Sequence, residues 1–169
     1  MTGPVPVRGR WRRWRACLAL ALLSVVMAVA GCSSAPVPQP RQYLNVSACL
    51  LTDPDGVVAG TAGAPVWAAM ESASLATHVM VSYLPDTGPS DVTPMLNTLV
   101  ERKCGVIVTA EAPADVVIAA AKANPHQQFL LVLPAGGFLP RTPPNAVAVS
   151  TSAAAARAGQ AVRALASQA

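Results

Sequence analysis

The chain has 169 residues, 53% hydrophobic and only 12% charged, a balance that excludes a disordered polypeptide. Its formal net charge is +4, yet five of the 12 basic residues (Arg8, Arg10, Arg12, Arg13 and Arg15) fall within the first 31 positions. Positions 32–169 carry seven basic and eight acidic residues, one net negative charge, so binding of nucleic acid through a basic face is excluded. Those positions have room for one hydrophobic core and are short for a two-lobed molecule.

Arg8 to Arg15 form a positive stretch, and Ala16 to Ala30 follow as an apolar run interrupted only by Ser24. The run is too short for a permanent membrane span and fits a cleaved export signal over 1–31. The Arg12-Arg13 pair lacks the rest of a twin-arginine motif. Val29-Ala30-Gly31-Cys32 resembles the bacterial lipobox, in which the cysteine receives a diacylglycerol thioether and becomes the new N-terminus. The expectation is therefore an exported protein, tethered through Cys32 to the outer face of the cell membrane. Residues 32–42 read as the lipidated cysteine and a spacer. Alternating prolines in Ala35-Pro36-Val37-Pro38-Gln39-Pro40 favour extended polyproline geometry.

From Tyr43 onward the pattern alternates strand and helix. Tyr43–Leu51 reads as a first strand, followed by a turn in Thr52-Asp53-Pro54-Asp55-Gly56. Pro65 suits the start of a helix whose apolar side holds Val66, Trp67, Met70 and Ala73. His78–Leu84 reads as the second strand. Asp91 is placed to cap a second helix, with Val92, Met95, Leu96, Leu99 and Val100 on one face, Glu101, Arg102 and Lys103 in its last turn and Gly105 as terminator. Val106–Thr109 is a short, wholly apolar third strand. Pro113 opens a third helix that Asn124-Pro125 stops; Gln128–Leu133 is the fourth strand, Asn145–Ser150 the fifth, and Ser152 caps an alanine-rich helix reaching Ala166.

Such alternation predicts an α/β fold over 43–169: one doubly wound parallel sheet of about five strands with helices on both faces. Ligands of such sheets lie beyond the C-terminal strand ends, near the switch point. Here those ends are 52–56, 109–112 and 134–137. Asp53, Asp55 and Glu111 are the candidate ligand contacts, although Asp-Pro-Asp-Gly is also ordinary turn chemistry. Trp67 is either a core residue or a stacking surface. Gly136-Gly137 lacks the Lys-Ser/Thr of a phosphate loop. Cys49 lies in the first strand and Cys104 directly before the third, and those strands are neighbours in such sheets. They are readable as a disulfide, as two buried free thiols or as metal ligands; in each case they lie at the end away from the expected cleft. The two histidines, His78 and His126, sit at a strand start and in a turn, and no Gly-x-Ser-x-Gly, His-x-x-x-His or Cys-x-x-Cys pattern occurs. No catalytic residue, metal or cofactor is expected.

Several phrases carry a resemblance. "ACLLTD", "APVWAAMESA", "MLNTLVERKCGVIVTAEAPADVVIAAAKANPHQQFLLV" and "NAVAVSTSAAAARAGQAVRALA", in that order, resemble the first lobe of the basic membrane protein family. These are lipoprotein receptors of purine-nucleoside ABC importers, with the type I periplasmic binding-protein fold. The resemblance implies a substrate-binding lipoprotein limited to one lobe, a nucleoside-like ligand, and an ABC permease or a second-lobe protein as partner. The family's Asp-x-Ser-Phe-Asn phrase is replaced here by Asp53-Pro54-Asp55-Gly56 and Val57 to Gly63, without Phe-Asn. A lone lobe makes only part of a receptor's contacts, so millimolar or weaker nucleoside binding by a monomer is expected. The alternative reading is an envelope interaction or sensing module that has lost ligand binding.

Overall fold

Ser47–Thr52 forms strand β1, and five of its six residues are buried because sheet neighbours and helices cover both its sides. The computed structural model describes residues 40–134 and 141–169; the segment read as an export signal, Cys32, the expected spacer as far as Gln39, and Gly136-Gly137 lie outside the described residues. Helix α1 follows over Gly63–Thr77, then β2 over Met80–Pro85, α2 over Val92–Glu101 and β3 over Val106–Ala110. Helix α3 spans Ala114–Ala123, β4 Gln128–Leu133, β5 Ala146–Ser150 and α4 Thr151–Ala166. The five strands form one sheet in the order β2-β1-β3-β4-β5, every pair parallel. The chain leaves β1 toward β2 on one side and returns to β3 on the other, so the switch point lies between β1 and β3.

Side-chain alternation along the strands builds two cores. Ala48, Leu50, Val106, Val108 and Val132 pack with Val66 and Met70 of α1 and with Ala154, Ala158 and Val162 of α4. Cys49, Leu51, Ile107, Phe129 and Leu131 pack with Leu96 and Leu99 of α2 and with Val117 and Ala121 of α3. Burying each strand on two faces requires the continuous apolar runs that the chain carries there. At the N-terminal end of the sheet, the buried Asn145 Nδ2 lies within donating distance of the carbonyls of Ala121 (3.0 Å), Asn124 (2.9 Å) and Gln127 (2.7 Å), tying the end of α3 to the start of β5.

Several element ends differ from the sequence expectation. β1 begins at Ser47 rather than Tyr43, which is exposed; the Leu44 N–H already donates to the His78 carbonyl (2.8 Å). His78 does not open β2. It closes α1 in the left-handed conformation at φ 64°, its N–H donating to the Ser74 carbonyl. α2 stops at Glu101, and Lys103, not Gly105, takes the left-handed conformation beyond it (φ 57°). Gly105 answers a packing demand: a Cβ there would lie 2.7 Å from Leu165 Cδ2. Asp91 holds the N-cap position of α2 without capping through its side chain, which instead accepts from the Thr87 hydroxyl. The N-cap of α4 is Ser150, not Ser152.

Candidate functional site

The β1–α1 connection is built as a tight turn. The Gly56 N–H donates to the Asp53 carbonyl (3.0 Å), and Gly56 adopts φ 70°, which glycine reaches without steric penalty. The Thr61 hydroxyl lies within donating distance of the Val58 (2.9 Å) and Gly56 (3.1 Å) carbonyls, and it accepts from the Ala64 N–H (3.3 Å). Gly63, the first residue of α1, packs so closely that a Cβ would stand 2.6 Å from the Gly56 carbonyl oxygen and 2.9 Å from Thr52 Cγ2. The loop is thereby held against the C-terminal end of β1, with Asp53 half-buried and Asp55 exposed.

Glu111 follows β3 directly, in the left-handed conformation at φ 64° that side chains rarely adopt. Because Leu51 and Thr109 pair in register, the ends of β1 and β3 lie side by side, and Glu111 meets the Asp53 turn. A hydrogen bond with Asp53 raises the Glu111 pKa above its ordinary value, helped by burial and by the charges of Asp53 and Asp55. Asp53 Oδ1 is buried without a hydrogen-bond partner. The neighbouring Thr52 Oγ1, on a residue 1% exposed, is likewise unpartnered.

A fourth carboxylate at this rim was not singled out in the sequence. Asp86, buried just past β2, donates its N–H to the Thr52 carbonyl (2.8 Å) and accepts from the Gly88 N–H (3.1 Å). Burial raises its pKa, the Gly88 hydrogen bond opposes that, and the charges of Asp53 and Asp91 add to the rise. The signal was its place directly after the second strand's apolar run, a strand-end position like that of Asp53.

The rim of β1, β2 and β3 thus gathers Asp53, Asp55, Asp86 and Glu111, and the charges acting on Glu111 and Asp86 are all negative. Ionised carboxylates only accept, so the arrangement suits a ligand bringing hydroxyl, amino or ammonium donors. Among the described residues no group of three His, Cys, Asp or Glu side chains could hold a metal ion. Trp67 is partly buried against the first core and meets Tyr83 edge-to-face, ring centres 5.1 Å apart. Cys49 and Cys104 are joined by a disulfide with Cα atoms 5.8 Å apart, linking β1 to the turn before β3 within the second core. His78 and His126 are both exposed. No helix among the described residues is long and apolar enough to cross a membrane.

No family model matches the chain, and no curated protein matches it. Solved structures do. A proposed lipoprotein from Peptoclostridium difficile 630, itself a fragment, superposes with a TM-score of 0.59 at 17% identity, over 68% of this chain and 94% of that one. An ABC transporter solute-binding protein from Aeropyrum pernix K1 superposes with a TM-score of 0.50 at 14% identity, over 61% of this chain and 28% of that one. This chain therefore matches little more than a quarter of that solute-binding protein's length. At such identities the likeness is one of fold, and together with the five-stranded parallel sheet it shows that the chain has a periplasmic-binding-protein-like fold.

Proposed function

We propose that this protein is a membrane-anchored, substrate-binding-like lipoprotein of the nucleoside-receptor type, binding its ligand without catalysis and serving an ABC permease. The observation that carries the reading is the C-terminal rim, where Asp53, Asp55 and Glu111 meet beside the switch point and Asp53 Oδ1 and Thr52 Oγ1 lack partners. Ribose hydroxyls and exocyclic base amines are donors of the kind such a rim lacks. The Val29-Ala30-Gly31-Cys32 motif supports anchoring through Cys32, and the resemblance to the basic membrane protein family supports the nucleoside class.

Asp55 and Glu111 are exposed, so a ligand here is only half enclosed and its dissociation constant is expected to be about millimolar. At ligand ten times that constant, linkage gives a stabilisation of about 1.4 kcal/mol. The test is a thermal-shift titration of the full chain with a panel of nucleosides, repeated on Asp53→Asn and Glu111→Gln. A nucleoside-dependent rise in Tm that both substitutions abolish is expected. Absence of any rise at tens of millimolar (well above the expected constant) overturns the ligand class, and a rise that survives both substitutions overturns the site.

A further inference from the structure

β2 lies at one end of the sheet, opposite the other edge strand, β5. Met80 is 40% exposed and Tyr83 44%, Leu75 on α1 beside them is 58% exposed, and β2 contains no charged residue. Edge strands are ordinarily blunted by lysines, inward charges, bulges or proline; β2 carries only the last, Pro85 at its end. Beside the edge runs a groove of about 590 Å³, lined among others by Arg41, Tyr43, Trp67, Glu71, Leu75 and Met80.

Hydrogen bonding shows which backbone groups the edge offers. The Met80 N–H donates to Val46 (3.0 Å) and the Asp86 N–H to Thr52 (2.8 Å), so even-numbered residues of β2 face β1 and odd-numbered ones face outward. Val81 and Tyr83 therefore present N–H and C=O groups to a side unpaired among the described residues, while Pro85, also outward, has no N–H to give.

We infer that the β2 edge is a homodimer interface in which two copies pair β2 antiparallel about a two-fold axis at Ser82, making one continuous ten-stranded sheet. The occupant follows from self-complementarity. With Ser82 opposite Ser82 of the second copy, Val81 stands opposite Tyr83 and Tyr83 opposite Val81, and each pair exchanges two N–H···O=C bonds. A β-branched residue across from an aromatic is a favourable cross-strand pair. On the other sheet face the same register sets Met80 across from Leu84, again apolar on apolar. Pro85 ends the ladder after those four bonds. Arg41 and Glu71 give the groove one charge of each sign, so two identical surfaces meet without net repulsion. A two-fold pairing of β2 with β2 also closes on itself, whereas pairing β2 with the opposite edge strand β5 would propagate into an open filament.

Sedimentation equilibrium of the full chain in detergent tests the proposal. A protein mass twice that of one chain is expected, and a single-chain mass at about 100 μM overturns the proposal. Tyr83→Lys places a charge at the centre of the ladder and is expected to return the chain to the single-chain mass. Met80→Lys is the second variant should Tyr83→Lys fail to fold. Val147→Lys, on the exposed β5 edge, is expected to leave the dimer intact. A dimer that persists in a folded Tyr83→Lys or Met80→Lys chain, or that dissociates in Val147→Lys, overturns the assignment, as does a mass growing beyond two chains. Hydrogen exchange of the unmodified chain gives an independent readout: the amides of Val81 and Tyr83 are expected to slow roughly tenfold or more between the dilute monomer and the dimer. Unchanged exchange at both positions overturns the register.

Discussion

At the scale of single residues, Glu111 and Asp53 show how a strand-end position becomes a chemical one. Folding raises the pKa of Glu111, first through its hydrogen bond with Asp53, and raises that of Asp86 through burial. A carboxyl whose folded pKa lies above its unfolded value favours the native state when protonated. That contribution is fully present below the ordinary values of 4.5 and 3.8 and is lost as pH rises through the folded values. The melting temperature is therefore expected to rise as pH is lowered from neutrality toward the mid-4 range, the reverse of a domain held by ion-paired carboxylates. Asp53→Asn removes the negative charge while adding an amide N–H that can donate to ionised Glu111, and is expected to raise Tm at pH 7 and flatten the profile. A profile with the same slope in Asp53→Asn would show that Glu111 titrates independently of Asp53. Asp53 and Glu111 were legible in the sequence because each follows an apolar run that had to be a strand. Asp86 holds a strand-end position of the same kind, but its burial, which sets it apart from an ordinary turn carboxylate in Pro85-Asp86-Thr87-Gly88-Pro89, is a property of the tertiary structure.

At the scale of elements, two glycines separate steric need from helix propensity. Gly63 starts α1 against the Gly56 backbone and Thr52, so Gly63→Ala forces a loop backbone to move and is expected to cost about 1–3 kcal/mol. Gly159 lies inside α4, where a new Cβ would sit 3.4 Å from the Ala69 carbonyl of α1, at the edge of ordinary contact. Gly159→Ala gains about 0.5–1 kcal/mol of helix propensity and is expected to hold or raise Tm. Chemical denaturation of both variants checks the pair, and equal effects at the two positions would be inconsistent with the packing described. Tyr43, His78, Gly105 and Ser152 have the residue types that ordinarily begin, extend or cap elements, but each boundary falls a few residues away: His78 ends α1 through its own N–H to Ser74, and Gly105 is held by packing against Leu165.

At the scale of the whole molecule, the Cys49–Cys104 bond spans 55 residues and encloses α1, β2 and α2. Chain entropy alone assigns such a loop about 4 kcal/mol, so a Cys49→Ala/Cys104→Ala chain is expected to lose much of its stability, as does the natural protein unfolded under reducing conditions. Urea midpoints with and without reductant measure this; midpoints that coincide would show that the bond does not form in solution. Anchoring is read at the same scale. On the proposed anchoring, Cys32→Ser removes the thiol that would carry the lipid, and the expected outcome is release of the protein from the membrane fraction. A variant that still pellets with membranes overturns the lipobox reading.

The order of strands and helices, their approximate spans and the parallel sheet were readable from the sequence, because burial on two faces demands unbroken apolar runs and crossovers demand amphipathic helices between them. The proximity of Cys49 to Cys104 was also readable once β1 and β3 were taken as neighbours, but the choice among disulfide, free thiols and metal was not. That choice depends on the 5.8 Å Cα separation, which register and turn geometry determine together. The grouping of Asp53, Asp55, Asp86 and Glu111 likewise belongs to the tertiary structure. Their positions are scattered over nearly sixty residues of sequence, and only the order β2-β1-β3 brings three strand ends to one rim, where burial and mutual repulsion change their chemistry.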